Sequence, residues 1–290
     1  MKYKILLIFV PALIFSCFSC SKEKKSSDMN ILFLHHSTGE IIWNGSPPSL
    51  LNRAIGKVSE KLADAVKKKG QLPRLIENYN SSKGTNYNID ELTFPKAEPY
   101  GWNNFPFDYY NIWVVNAGQE PYMEEPTLEM LTDSYQVVIF KHCLPVGYID
   151  ADKDSADINS GARTLANYKL QYAALRDKLH EFPQTKFILF TGAALTKASV
   201  SEERALRARE FFEWVISEWD QPDDNIYIWD LYDLQTDGGI YFKDEYARSP
   251  NDSHPNQSFA EQVVQLLFHR IIDVIENNGN GTLLTGKTKL

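Results

Sequence analysis

The sequence predicts an α/β domain: a five-stranded parallel sheet with helices on both faces, in a three-layer α/β/α sandwich. Three observations lead there. Short apolar runs alternate with longer amphipathic stretches along most of the chain. The runs stop abruptly at Gly, His or other polar residues, as strands do at the carboxyl edge of an open sheet. Of 290 residues, 43% are hydrophobic and 13% aromatic, which suffices for a sizeable core.

The chain begins outside that fold. Lys2 and Lys4 precede an apolar run over 5–18, the length of a signal-peptide core and short for a bilayer span. The run ends at Ser19-Cys20, and a polar stretch follows. The arrangement resembles a bacterial lipoprotein signal, in which the chain is cut before a cysteine that is then acylated. Cys17 stands where such signals often carry Leu. The resemblance implies lipidation at Cys20 and residence in the bacterial cell envelope, at the outer membrane or the periplasmic face. An ordinary secretory signal and an uncleaved anchor are the alternatives. The expected organisation is a signal peptide at 1–20, a polar tether at 21–29, a folded domain at 30–276 and a flexible tail at 277–290. After Cys20 only Cys143 remains, so no intrachain disulfide framework is available and the core must hold the fold.

The first strand is read at 30–34, where Ile31 to Leu34 form a buried run. Ser49 is a candidate N-cap for a helix to Lys69, with Leu51, Ile55, Val58, Leu62 and Val66 on one face. Residues 78–108 are irregular and rich in rings, either an insertion packed on itself or a binding lip. The apolar run 111–116 is read as the second strand, followed by Ala117-Gly118-Gln119. A helical turn is expected at 128–132. Residues 137–140 make the third strand, apolar throughout and therefore buried on both faces, ending in Lys141-His142-Cys143. Residues 150–162 are charged and small, hence loop. Tyr168, Tyr172, Leu175 and Leu179 lie at helical spacing in 165–181. Strands at 187–191 and 226–231 alternate with helices at 202–219 and 259–275. Right-handed crossovers then bring all five strand ends to one edge.

Chemistry-bearing residues gather at that edge. Ser37 follows the first strand within His35-His36-Ser37-Thr38-Gly39. Asn116 and Gly118 follow the second expected strand, and His142 follows the third. Asn251-Asp252-Ser253-His254-Pro255-Asn256 precedes the last helix and offers a carboxylate and an imidazole, the partners a nucleophilic serine needs. The pattern resembles the SGNH/GDSL hydrolases, and Asp252-Ser253-His254-Pro255-Asn256 carries most of the likeness. The resemblance implies a flavodoxin-like sheet and hydrolysis of esters or acetyl groups. It implies Ser37 as nucleophile, His254 as base and Asp252 as its carboxylate. The oxyanion donors would be the amides of Ser37 and Gly118, with Asn116, His142 or Lys141 for a third. Three departures stand out. His35-His36 replace the usual Gly-Asp, Asp252 lies two residues before the histidine where three is commoner, and Cys143 stands where an oxyanion Asn belongs.

The expected substrate is a small-molecule or glycan ester, with no cofactor and no metal. A metal site built from His35, His36 and His142 is a weaker reading, because their spacing matches no helical ligand pair. Trp43, Trp102 and Trp113 either line a sugar cleft or fill core. The formal net charge of -8 argues against a nucleic-acid partner, and the only membrane contact expected is the lipid anchor. A non-catalytic glycan-binding or surface protein on the same fold is the competing function.

Overall fold

The computed structural model describes residues 28–46, 70–101, 104–152 and 155–289. The signal peptide, Cys20, the tether up to residue 27, the helix expected at 49–69 and Trp102 fall outside the described residues.

Five strands form the central sheet: β1 (Asp28–His35), β2 (Asn86–Thr93), β3 (Val137–Phe140), β4 (Lys186–Phe190) and β5 (Ile226–Trp229). Their order is β2-β1-β3-β4-β5, and every neighbouring pair is parallel. This is the three-layer α/β/α arrangement expected from the alternation of short and long apolar segments. Helices α1 (Ser37–Asn44), α2 (Gln71–Lys83) and a long C-terminal helix (Gln257–Asn277) cover one face. On the other face lie α3 (Pro106–Tyr110), a helix at Leu165–His180 and one at Glu202–Trp214. Numbered in chain order, α4 is Leu128–Ser134, α5 Leu165–His180, α6 Glu202–Trp214, α7 Leu231–Thr236 and α8 Gln257–Asn277.

Rings fill both interlayer spaces. Under α1 and α8, Phe190 bridges Phe33 at 5.3 Å and Trp229 at 4.4 Å between centroids. On the far face Trp113 packs on Tyr109 at 4.9 Å and Phe140 at 5.6 Å, and Tyr172 on Phe211 at 4.9 Å. Trp43 and Trp113 are therefore core residues, not a sugar platform.

The second strand lies elsewhere than the sequence suggests. Asn111–Val115 continues α3 as one π-helical turn that buries Ile112 and Trp113 and leaves Val115 54% exposed. A central strand would have buried the whole run. The true β2 sits inside the irregular aromatic stretch. It is an edge strand with a single neighbour, so Asn86, Asn88 and Asp90 meet solvent and no continuous apolar run is needed.

The residues after Asn277, expected to fray, fold back on the body. Asp273 accepts the Gly281 and Thr282 N–H groups, each at 2.8 Å. The Trp229 indole N–H donates to the Thr285 carbonyl at 3.1 Å, and Thr282 and Thr285 are buried.

Candidate active site

The chain leaves β1 in one direction to form β2, then crosses to the other side of β1 for β3. Such a reversal opens a crevice at the carboxyl ends of the two diverging strands, where ligands bind in open α/β sheets. Ser37 stands there as the first residue of α1.

The turn that presents it is tight. His36 is extended, and its carbonyl accepts the Glu40 N–H at 2.9 Å, the first bond of the helix. A Cβ on Gly39 would lie 2.2 Å from His35 Cβ and 2.8 Å from His35 Cγ, so only glycine lets α1 start this close to β1. The His35 ring contacts Glu91 Oε2 at 2.6 Å and the His36 carbonyl at 3.0 Å. The His36 Nε2–H donates to the Pro95 carbonyl at 2.7 Å. Burial, with the neighbouring Lys141 charge, pushes the His36 pKa down to about 4. Both histidines thus brace the turn from beneath.

His254 and Asp252 belong to β7 (Asp252–Pro255), which pairs antiparallel with β6 (Ala247–Ser249). The ribbon is pinned twice. Ser253 Oγ accepts the Thr196 N–H at 3.0 Å from the segment after β4. Asn256 caps α8 by accepting the Phe259 N–H at 2.9 Å, and its own amide donates to the Glu245 carbonyl at 2.7 Å.

These two elements bring the predicted trio together. Ser37 Oγ lies 2.8 Å from His254 Nε2, and His254 Nδ1 lies 2.6 Å from Asp252 Oδ1. The same Oδ1 accepts the His254 backbone N–H at 3.1 Å, and Arg248 donates to Oδ2 at 3.2 Å. Burial opposes ionisation of Asp252, but the ring and backbone hydrogen bonds from His254 and the charge of Arg248 outweigh it. Its carboxyl titrates below the usual range. A carboxylate on Nδ1–H leaves the Nε2 lone pair facing the Ser37 hydroxyl, the arrangement for removing its proton.

The expected oxyanion donors are not all assembled. The opening amides of α1, Ser37 among them, have no intrahelical acceptor and lie at the positive end of the helix dipole. Gly118, however, follows a helix rather than a strand, and its N–H donates to Glu129 Oε2 at 3.2 Å. The Asn116 side chain donates to the Asn111 carbonyl at 2.9 Å and to Asn111 Oδ1 at 3.1 Å. Both were placed by the misread strand, and both are already engaged. His142 is fully buried on the far face of the sheet, its ring 4.6 Å from Tyr109 and 5.5 Å from Tyr172. Its Nδ1–H donates to the Asn104 carbonyl at 3.1 Å. Being turned away from His35 and His36, it cannot join them at one ion. Among the described residues no three His, Cys, Asp or Glu side chains are disposed around a common ion.

Three contributors escaped sequence reasoning. Asn104 Oδ1 accepts the Cys143 N–H at 2.6 Å and its Nδ2 donates to the Lys141 carbonyl at 3.2 Å, so it staples the segment after β3. Nothing in the ring-rich stretch singles it out. Glu91 was hidden with β2. Arg248 carried a faint signal, a cation four residues before Asp252. Cys143 itself places Sγ 3.7 Å from Ser37 Oγ.

No protein-family model and no curated protein sequence matches the chain. Among solved structures it is similar to a carbohydrate acetylesterase from Xanthomonas citri, at 12% identity and a TM-score of 0.47 over 88% of this chain and 58% of that one. It is similar also to a family two carbohydrate esterase from Cellvibrio japonicus, at 11% identity and a TM-score of 0.39 over 86% and 62%. A third similar structure is a carbohydrate esterase with divergent catalytic and non-catalytic binding functions, at 12% identity and a TM-score of 0.35 over 87% and 69%. The chain spans less than two thirds of the first two of these proteins.

Proposed function

We propose that the chain is a serine hydrolase of ester bonds, of the SGNH type, that removes acyl groups from carbohydrate at the bacterial envelope. One observation carries the hydrolase reading: the continuous contact from Ser37 Oγ through the His254 ring to Asp252 Oδ1, at 2.8 Å and 2.6 Å. In this reading Ser37 Oγ attacks the ester carbonyl while His254 Nε2 takes its proton. Asp252 holds the ring and stabilises the imidazolium. Negative charge on the carbonyl oxygen faces the first amides of α1. Collapse breaks the ester bond, and His254 returns the proton to the departing alcohol. Water, deprotonated by the same nitrogen, then attacks the acyl-Ser37; collapse breaks the bond to Ser37 Oγ, which takes the proton back from His254, and the acid is freed.

A sugar as the alcohol draws support from a polar hollow of about 930 Å³ at the starts of α5 and α6, whose lining contains none of the triad residues. Asp150, Asp157, Ser160, Arg163, Asn167 and Arg204 are among its lining, which suits an oxygen-rich ligand. Envelope attachment is supported by the Ser19-Cys20 pattern alone.

The test is labelling with a fluorophosphonate probe. The parent protein should react and Ser37→Ala should not. The second reading, a glycan-binding protein without catalysis, draws on the absence of an Asn side chain at the Cys143 position. An unlabelled parent that still binds acylated glycan would select it.

A further inference from the structure

Lys141 is fully buried, and its Nζ has no hydrogen-bond partner among the described residues. Complete burial pushes the Lys141 pKa down, the sign that an ammonium without a carboxylate partner is expensive to hold here, and local rules are broken in this way most often at functional sites.

Its place in the fold shows what it faces. Side chains alternate along a strand and its extension, so Ile139, Lys141 and Cys143 share one face. Ile139 is in register with Phe33 of β1, which packs against Trp43 of α1 at 6.3 Å. Cys143 reaches the Ser37 hydroxyl at 3.7 Å. His142, between them in sequence, points to the opposite layer. Lys141 therefore lies under the start of α1, on the side of the sheet that carries Ser37. Its charge lowers the basicity of His36, the residue before Ser37, so it is felt at the turn itself. Glu91, on the β1–β2 side of the turn, is engaged with the His35 ring at 2.6 Å, and the acid that acts on Lys141 is the Cys143 thiol.

We propose that Lys141 is a positioning residue whose positive charge, set beneath the Ser37 turn, stabilises the negative charge that develops when Ser37 attacks an ester. The proposal rests on the hydrolase reading and supplies what the missing Asn side chain would have given. In the resting protein the ammonium lacks a partner. When the oxyanion forms, the counter-charge appears, so the interaction is made chiefly in the transition state and lowers its energy relative to the ground state. It acts across the α1 turn rather than by touching the ester.

The experiment uses Lys141→Met, similar in length and uncharged, with p-nitrophenyl acetate kinetics and thermal unfolding measured on the same protein. The expected result is a fall in kcat of about 10- to 100-fold, less than the roughly 10²–10³ of losing a direct donor, with KM changed less than about twofold. The melting temperature should rise, because an unpartnered charge has been replaced by an apolar side chain. An unchanged kcat overturns the proposal. So does a protein that melts lower or fails to fold, since Lys141 would then be a structural element. Fluorophosphonate labelling of the parent separates the two levels. A labelled parent with an unaffected Lys141→Met refutes the lysine's role alone, and an unlabelled parent refutes the hydrolase reading beneath it.

Discussion

Asp252→Asn measures what the carboxylate contributes. In the parent, Oδ1 accepts two N–H groups, the His254 ring at 2.6 Å and the His254 backbone at 3.1 Å. An asparagine that kept its oxygen at this position would satisfy both. Two N–H groups, backbone and ring, favour that orientation over the one N–H of Arg248, which then faces the NH₂ and loses its 3.2 Å bond to Oδ2. The ring tautomer is then preserved, and what His254 loses is the negative charge. Two opposite unit charges about 4 Å apart attract by about 4 kcal/mol at an effective dielectric constant of about 20. The imidazolium that forms during attack loses this, so kcat/KM should fall by about 10³, somewhat less than the roughly 10⁴ found where the tautomer is lost as well. The assay is steady-state hydrolysis of p-nitrophenyl acetate by the parent, Asp252→Asn and Ser37→Ala, with melting temperatures recorded in parallel. The fold should be nearly unaffected. A fall of less than about tenfold in a protein that Ser37→Ala inactivates would refute the charge argument and leave a Ser–His dyad.

Other expectations follow from single contacts. Gly39→Ala puts a Cβ 2.2 Å from His35 Cβ, so thermal or urea unfolding should register a loss of about 1–3 kcal/mol and labelling of Ser37 should drop with it. Burial and the neighbouring Asp224 raise the Asp220 pKa to about 7. The folded state therefore holds a proton that the unfolded state has released, and Asp220 should cost stability progressively as pH rises from about 4 through 7. Asp220→Asn should raise the melting temperature at pH 8 and leave it nearly unchanged at pH 4; an equal gain at both would contradict the assignment. Radiolabelled palmitate should enter the expressed protein and Cys20→Ala should abolish it; label that survives the change excludes Cys20 as the acylated residue.

The layers of the fold were legible because β1, β3, β4 and β5 are flanked by strands or covered on both faces, and burial on all sides writes a continuous apolar run. The edge strand β2 carries no such demand, so its Asn and Asp residues concealed it. The apolar run that replaced it in the sequence reading belongs to a helix that buries two residues and exposes a third. That single exchange explains the misplaced oxyanion candidates, since Gly118 and Asn116 were located by counting from the wrong strand. The convergence of Ser37, Asp252 and His254 was legible for a different reason: a parallel sheet brings the end of its first strand and the segment before the last helix to one edge. Asn104 was illegible because its work is done on the main chain of residues 37 and 39 positions away, and no local pattern encodes that. The packed C-terminal segment was missed because Asn and Gly signal a helix stop equally well before a loose end and before a chain that returns to Trp229.

The pairing of α1 with the β6–β7 ribbon has a consequence for when the chain acquires reactivity. Ser37 and His254 are 217 positions apart, and neither element carries both. The ribbon takes its seat only after Thr196, beyond β4, is in place to hold Ser253, and after α8 has begun at Asn256. During synthesis the hydroxyl on α1 emerges long before any base exists to activate it. A chain stalled or cleaved ahead of the ribbon carries an ordinary serine. The proposed hydrolysis would thus report completion of the sheet and its closing helix, and a partial chain stays chemically silent until α1 and the ribbon have met.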